Sequence, residues 1–467
     1  MSQEDVASGR AARGFTCNTE VAGRHGASGG YKVERHVDVA GRECAYYDTS
    51  LLFPRDALAA GREGTGVYVL HMSDPGAPVH TDTLVTPAMQ SPHESLSLNP
   101  TRGLLVAVTA NPAFYPGVID VYDVGRDCRH PVLRSSTPIA GLGHEGAFAP
   151  DGRTFYSSSF DAGGNLPAAT LTAVDLSNPA LAVPVWTGTY RSHGLSLSDD
   201  GNRAYIAARS GLLILDVSQV QARVPNPQVR EIARLTWPTM STPQVTIPVT
   251  IAGHPYLVEM DEFARGDDVG AGRIIDIGDE TKPEVVSNIR LEVNMAENRP
   301  SQVDDPGATT PLQGYAGHYC AVPSRQDPGL VACTFILSGL RLFDIRDPRS
   351  PREIAYFNAP MDSGLADRPG ATPGSNYAMS SAAFVPERGE LWYSDGHRGF
   401  FNVRVTNGVW PLSRQAEPEA APTSTGSAGP ADGVLPATGA GGHHMWLGAA
   451  FGLILLALRS LVRSCRR

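Results

Sequence analysis

A short element of the form apolar–x–apolar–Asp–apolar recurs along the chain, and it constrains the fold more than any other feature. It reads Val118-Ile119-Asp120-Val121-Tyr122-Asp123-Val124, then Leu171-Thr172-Ala173-Val174-Asp175-Leu176-Ser177. It returns as Leu212-Leu213-Ile214-Leu215-Asp216-Val217-Ser218, Arg273-Ile274-Ile275-Asp276-Ile277-Gly278 and Leu340-Arg341-Leu342-Phe343-Asp344-Ile345, with a diverged copy at Val67–Pro75. A second element precedes most copies: a short strand, a Pro/Asp/Gly turn and another strand, as in His144–Tyr156 and His193–Ile206, with others beginning at His93 and His318. Apolar or alternating runs bounded by Asp-Gly and Pro are strands and hairpins, so the two elements together give four strands per unit.

The unit length then selects the architecture. From His93 to His144 is 51 residues and from His144 to His193 is 49. Four strands in roughly 40–50 residues is the mark of a propeller blade. The predicted fold is therefore all-β, a propeller of about seven four-stranded blades. The units run Val33–Met89, Ser91–Ala140, Gly141–Tyr190, Arg191–Thr239, Met240–Glu297, Gly314–Pro360 and Tyr377–Trp410. Residues 298–313 and 361–376 read as loops between blades. A pair of β-sandwiches is the alternative, but only closure of a ring removes the exposed edges of so many repeated sheets.

Composition agrees with this. Hydrophobic residues make up 42% and charged residues 18%, with 49 Gly and 37 Pro, which suits a core crossed by many turns. An all-helical bundle, a coiled coil and bulk disorder are excluded. The net charge of −10 argues against a nucleic-acid-coating surface. Lysine occurs only at Lys32 and Lys282, which reads as compositional bias rather than chemistry. The ring is expected to be monomeric.

The repeat resembles that of the LVIVD-repeat proteins, a group of β-propellers common on bacterial surfaces. The resemblance covers about residues 31–410 and is best at Gly211–Ser218. It implies a propeller, often exported, and no particular activity.

The C-terminus carries a separate signal. Residues 413–434 are rich in Ala, Pro, Ser, Thr and Gly and read as a disordered linker. Leu435-Pro436-Ala437-Thr438-Gly439 follows, then an apolar run from Met445 to Leu458, closed by Arg459, Arg463, Arg466 and Arg467. That order resembles the LPxTG cell-wall sorting signal of Gram-positive bacteria. The resemblance implies that Leu435 and Pro436 shape the peptide for a sortase, and that the bond between Thr438 and Gly439 is cut. The Thr438 carbonyl then passes to a peptidoglycan amine, while the arginines hold the tail inside the cell. The apolar run is shorter than the ~20 residues of a full span, and Leu461 and Val462 would extend the hydrophobic helix. A simple tail anchor is the alternative. Residues 1–30 read as an N-terminal extension without the apolar core of an export signal, followed by the propeller at 31–412, the linker, and a sorting signal at 435–467. The expected location is the outside of the cell wall.

Cys320 and Cys333 are symmetric about the turn Arg325–Pro328, which places them opposite each other in a hairpin and permits a disulfide. Cys17 and Cys44 could pair, leaving Cys128 free or paired elsewhere; ordinary buried thiols are the plain alternative.

The repeat also converges chemistry. In a propeller the first strand of each blade lines the axis, and His93, His144, His193 and His318 all sit at the start of that strand. The matching positions in the fifth and seventh units fall near Thr242 and Ser381. Four imidazoles facing one axis form a candidate site for a transition metal, with Glu94 and Glu145 as candidate bases or supporting partners. The plain reading is that the imidazoles bond neighbouring backbone and close the channel. Glu259, Asp261 and Glu262, with Asp267 and Asp268, suggest a Ca²⁺ site or, more simply, a solvated acidic loop. The aspartates of the repeat read as turn formers. Two functions follow: a surface module binding a small molecule, glycan or protein, or an extracellular metal-dependent hydrolase or oxidoreductase.

Overall fold

A computed structural model of the protein describes residues 7–49, 65–139, 141–159, 170–208, 211–237, 241–264, 270–295, 297–298, 314–360 and 376–410. Seven antiparallel sheets form seven propeller blades in chain order. Blade 1 is Val33–Val37, Glu43–Asp48, Val67–His71 and Val79–Leu84. Blade 2 is Ser97–Asn99, Leu104–Val108, Val118–Asp123 and Val132–Pro138. Blade 3 is Gly143–Phe148, Thr154–Ser159, Leu171–Asp175 and Val183–Gly188. Blade 4 is Leu195–Leu197, Arg203–Ala208, Gly211–Asp216 and Arg230–Thr236. Blade 5 is Ser241–Ile251, His254–Ala264, Gly272–Asp276 and Glu284–Ile289. Blade 6 contains Gly317–Ala321, Leu330–Phe335, Gly339–Asp344 and Arg352–Asn358. Blade 7 begins with Ala383–Val385, Glu390–Asp395 and Gly399–Val405.

Blade 7 is completed from the other end of the chain. Thr19–His25 pairs antiparallel with Gly399–Val405 as its outer strand. Phe15–Cys17 adds a fifth strand to blade 6 against Arg352–Asn358. The stretch 1–30, read from sequence as an extension, thus contributes two strands to the ring. A shared detail marks Thr19–His25 as a true fourth strand. Every fourth strand from the axis skips one residue in its register, at Thr81, Arg134, Val185, Ile232, Val286, Ile354 and, in the N-terminal strand, Ala22. A bulge of one residue sharpens strand twist, and its repetition gives all seven blades the same twisted edge.

Burial falls from the middle of each blade to the rim. Leu104–Val108 and Gly211–Asp216 are buried throughout, whereas Val132–Pro138 is largely exposed. The runs of Leu, Ile and Val in the repeat fill the gaps between blades. Val106, Val108, Ile119 and Val121 of blade 2 meet Phe155, Val174 and Leu176 of blade 3. Tyr156 and Leu171 of blade 3 pack in turn with Leu195, Ile206 and Leu213 of blade 4. Each such side chain contributes about 1.5–3 kcal/mol when fully buried.

The repeat aspartates are the turn formers expected of them. Asp123, Asp175, Asp216, Asp276 and Asp344 each accept a backbone N–H from two residues on, at 2.7–3.1 Å. Cys320 and Cys333 are direct cross-strand partners joined by a disulfide. Cys44 is bonded to Cys128, not to Cys17, so the pairing of Cys17 with Cys44 is corrected. Cys128 lies in a turn beside blade 1, where its backbone N–H donates to Asp38 and its carbonyl accepts the Tyr46 hydroxyl. Disulfides of this kind are consistent with an extracellular protein. No helix among the described residues is long and apolar enough to cross a membrane. The linker, Leu435–Gly439 and the hydrophobic helix expected after it lie outside the described residues.

Candidate metal centre

The axial residues lie at or just before the innermost strands: His144 and His318 are second in theirs, while His93 and His193 precede Ser97–Asn99 and Leu195–Leu197 by four and two residues, and Glu94 stands at the meeting point. Its side chain is 1% exposed. The His318 Nε2 lies 3.1 Å from Glu94 Oε1, and the His144 Nε2 lies 3.3 Å from Glu94 Oε2. The His93 Nδ1 and the His193 Nε2 stand 3.9 and 4.0 Å from the same Oε2. The structure therefore brings all four sequence-selected histidines around one carboxylate. The donor atoms of His93, Glu94 and His144 all fall within 4.8 Å of one another.

Two histidines have their tautomer set by backbone. The His318 Nδ1 lies 2.5 Å from the Met379 carbonyl oxygen, and the His193 Nδ1 lies 2.7 Å from that of Pro243. A carbonyl only accepts, so each Nδ1 carries the hydrogen, and in the neutral ring Nε2 presents a lone pair to the axis. For His318, Nε2 is buried and lies 3.1 Å from a Glu94 oxygen without the geometry of a hydrogen bond. An acceptor held against an acceptor in a buried place is repulsive unless a proton or a cation lies between them.

Burial supports neutral rings. It pushes His144 well below its ordinary range, and His93 and His193 below theirs, although Glu94 pulls each the other way. Burial alone would lift Glu94, but the positive charge that His144, His93 and His318 carry when protonated outweighs it and holds the carboxyl well below its usual range. The imidazole nitrogens and carboxylate oxygens gathered at the axis are the donor set of a cation site.

Beneath the imidazoles runs a second polar layer built from the residues that follow them. Lys32 Nζ donates to Glu145 Oε1 at 3.1 Å and sits 4.1 Å over the Tyr319 ring. Gln244 Nε2 donates to Glu94 Oε2 at 2.5 Å and to the Tyr319 hydroxyl at 3.0 Å. Burial raises Glu145 to about 8 against the pull of Lys32. Gly194 occupies the fourth-blade position because nothing larger fits. A Cβ there would lie 1.7 Å from Glu145 Oε2 and 2.1 Å from the Gln244 carbonyl oxygen. Glu145 therefore belongs with Lys32 in this layer, and Glu94 with the imidazoles.

The fifth-blade position is Pro243-Gln244 rather than Thr242, because bulges at Pro243 shift the register of that strand. Near Ser381, the seventh blade contributes backbone: the Met379 carbonyl to His318, and the Ser381 N–H to the Tyr31 carbonyl oxygen at 2.8 Å. Tyr31 closes the imidazole circle, with ring centroids 4.6 Å from His93 and 5.4 Å from His318.

The acidic run of blade 5 is not a solvated loop. Glu259 and Asp261 are buried in the strand His254–Ala264, each 2.7 Å from Arg273 Nη1. Glu262 points the other way, to the axis, with Oε2 at 3.5 Å from His193 Nε2 and Oε1 at 3.9 Å from His318 Nε2. Asp267 and Asp268 lie outside the described residues. His254 is outside the ring, as expected, with Nε2 at 2.7 Å from Asp276. The side chains of His193, Glu262, His93 and His144 keep 15, 13, 10 and 9% of their surface, against none for His318.

No protein-family model matches the chain, and no curated protein matches it. Among solved structures, a provisionally assigned 6-phosphogluconolactonase from Bacteroides uniformis is 12% identical with a TM-score of 0.47, covering 72% of this chain and 90% of its own. A second such protein, from Bacteroides fragilis, is 8% identical with a TM-score of 0.46, covering 73% and 91%. The periplasmic gluconolactonase of Pseudomonas aeruginosa is 13% identical with a TM-score of 0.47, covering 73% and 92%. Resemblances this remote carry no information about the chemistry of the axis.

Proposed function

We propose that this protein is an extracellular metal-dependent hydrolase whose propeller axis holds a first-row divalent metal. The observation that carries the reading is Glu94, a buried carboxylate faced by the inward nitrogens of His144 and His318. Nitrogen and carboxylate donors without sulfur suit Zn, Mn, Fe or Co rather than soft copper chemistry. Such an ion would supply Lewis-acid chemistry to an oxygen of the substrate or of water. The chain's own residues do the rest. The Met379 and Pro243 carbonyls fix the His318 and His193 rings, as outer partners of metal-ligating histidines do. Glu94 acts as a ligand, not as the base. Lys32 lies below the carboxylates and offsets their charge. His193, Glu262, His93 and His144 keep exposed surface, and substrate would arrive there. The test is the metal content and ester or phosphoester hydrolysis of the full chain. Bound metal and chelator-sensitive hydrolysis, both lost in a folded His144→Ala, His193→Ala variant, are expected. A folded, metal-free wild-type protein overturns the reading.

A second reading, a module binding a glycan, a protein or a small molecule, has one observation in its favour. Among the described strands, the three longest connections, 49–66, 290–316 and 359–382, join strand ends on the histidine face. Segments that connect the strands of a rigid scaffold commonly carry recognition.

For either activity we propose display on a Gram-positive cell wall by an LVIVD-type propeller. The support is the repeat itself and the order of Leu435–Gly439, the apolar run and the terminal arginines. Sortase and peptidoglycan are the partners this implies. Mature protein released from the wall is expected to end at Thr438 by mass spectrometry. Mature protein that keeps Cys465 would count against sortase processing.

A further inference from the structure

We infer that the axis holds two metal ions bridged by Glu94, not one, an inference that rests on the metal reading above. Six donors are available: His93, His144, His193, His318, Glu94 and Glu262. A single ion cannot use them all. The His144 and His193 rings are stacked, with centroids 4.5 Å apart and only 10° between their planes. A metal lies close to the plane of the imidazole that binds it, and two stacked, nearly parallel rings do not direct their nitrogens at one ion. His144 and His193 therefore serve different ions.

The remaining distances divide the donors into two sets. His93, Glu94 and His144 form one compact triad, with His144 and His93 at 3.3 and 3.9 Å from Glu94 Oε2, whereas His193, 4.0 Å from that oxygen, is closer to Glu262 at 3.5 Å. His193, His318 and Glu262 form the other. There Glu262 presents Oε2 to His193 and Oε1 to His318, at 3.5 and 3.9 Å. Glu94 joins the sets, because its other oxygen, Oε1, is 3.1 Å from His318. A carboxylate with one oxygen on each side is the usual bridge of a two-metal site, where ions stand about 3.5–4 Å apart. The buried His318 Nε2, which has no hydrogen bond, points into the second position. Each position then has two imidazoles and carboxylate oxygen, a set that suits Mn, Fe, Co or Zn. Two ions across one carboxylate would favour substrates with two oxygens to clamp, such as phosphoesters.

The test is titration of metal-free full chain with Mn²⁺, read by bound equivalents and by electron paramagnetic resonance. The wild type is expected to bind two equivalents with the spectrum of a coupled pair. Glu262→Gln is expected to bind one, with the spectrum of an isolated ion. One equivalent in the wild type, unchanged by Glu262→Gln, overturns the pair and leaves a single-metal site standing. No binding by a folded wild type overturns the metal reading and the pair together.

Discussion

Replacing Glu94 by glutamine is expected to strip metal from the axis while leaving the ring folded. The substitution keeps the shape of the side chain, and an amide oxygen can still accept the hydrogen bond from Gln244 Nε2. It removes the charge that faces His144 and His318. Loss of an outer partner of a metal ligand commonly costs 10–100-fold in affinity, so loss of a shared ligand should cost about 100-fold or more. Competition with a graded chelator measures this directly. A thermal melt of the metal-free variant, unchanged from metal-free wild type, shows that the ring persists. Retention of metal at wild-type affinity would remove Glu94 from the site.

Deleting residues 7–25 is expected to produce the largest loss of stability of any short truncation. Thr19–His25 is the strand that joins the end of the ring to its beginning, and its partners Gly399–Val405 lie about 380 positions away in sequence. Without it the blade 7 edge is open, and Asn18 and Thr19 no longer bond the Ile354 and Tyr356 carbonyls. Each backbone hydrogen bond contributes about 1 kcal/mol net, and an open edge invites association. The apparent unfolding midpoint should fall by about 10 °C or more. Deleting only residues 7–13, which precede both strands, should change it little. Equal melting of the two truncations would show that the N-terminal strands do not close the ring.

Blades 1 to 6 were legible because each repeats a local pattern. Leu212–Ser218 states its own strand and turn, and Asp216 performs the turn chemistry its position requires. The closing strand was not legible. Thr19-Glu20-Val21-Ala22-Gly23-Arg24-His25 has little apolar alternation, and its pairing is decided by geometry at the far end of the chain. The histidines were legible through their equivalence in the repeat. Gln244 was hidden by a bulge that displaces its register. Lys32 lacked the histidine that flags its counterparts, since Tyr31 stands before it. Glu262 was masked by neighbouring carboxylates, because its strand is 11 residues long, unusual in this ring, and reaches the axis. Cys44 and Cys128 belong to different parts of the ring, and only the packing of blade 1 against the following turn brings them together.

X-ray absorption at the metal edge of the purified full chain reads which atoms surround an ion at the axis. A first-row metal surrounded by nitrogen and oxygen, with the outer scattering of imidazole rings, is expected, and it is expected to disappear in Glu94→Gln. A metal bound through sulfur, or an imidazole signal that survives Glu94→Gln, would contradict the axial metal site.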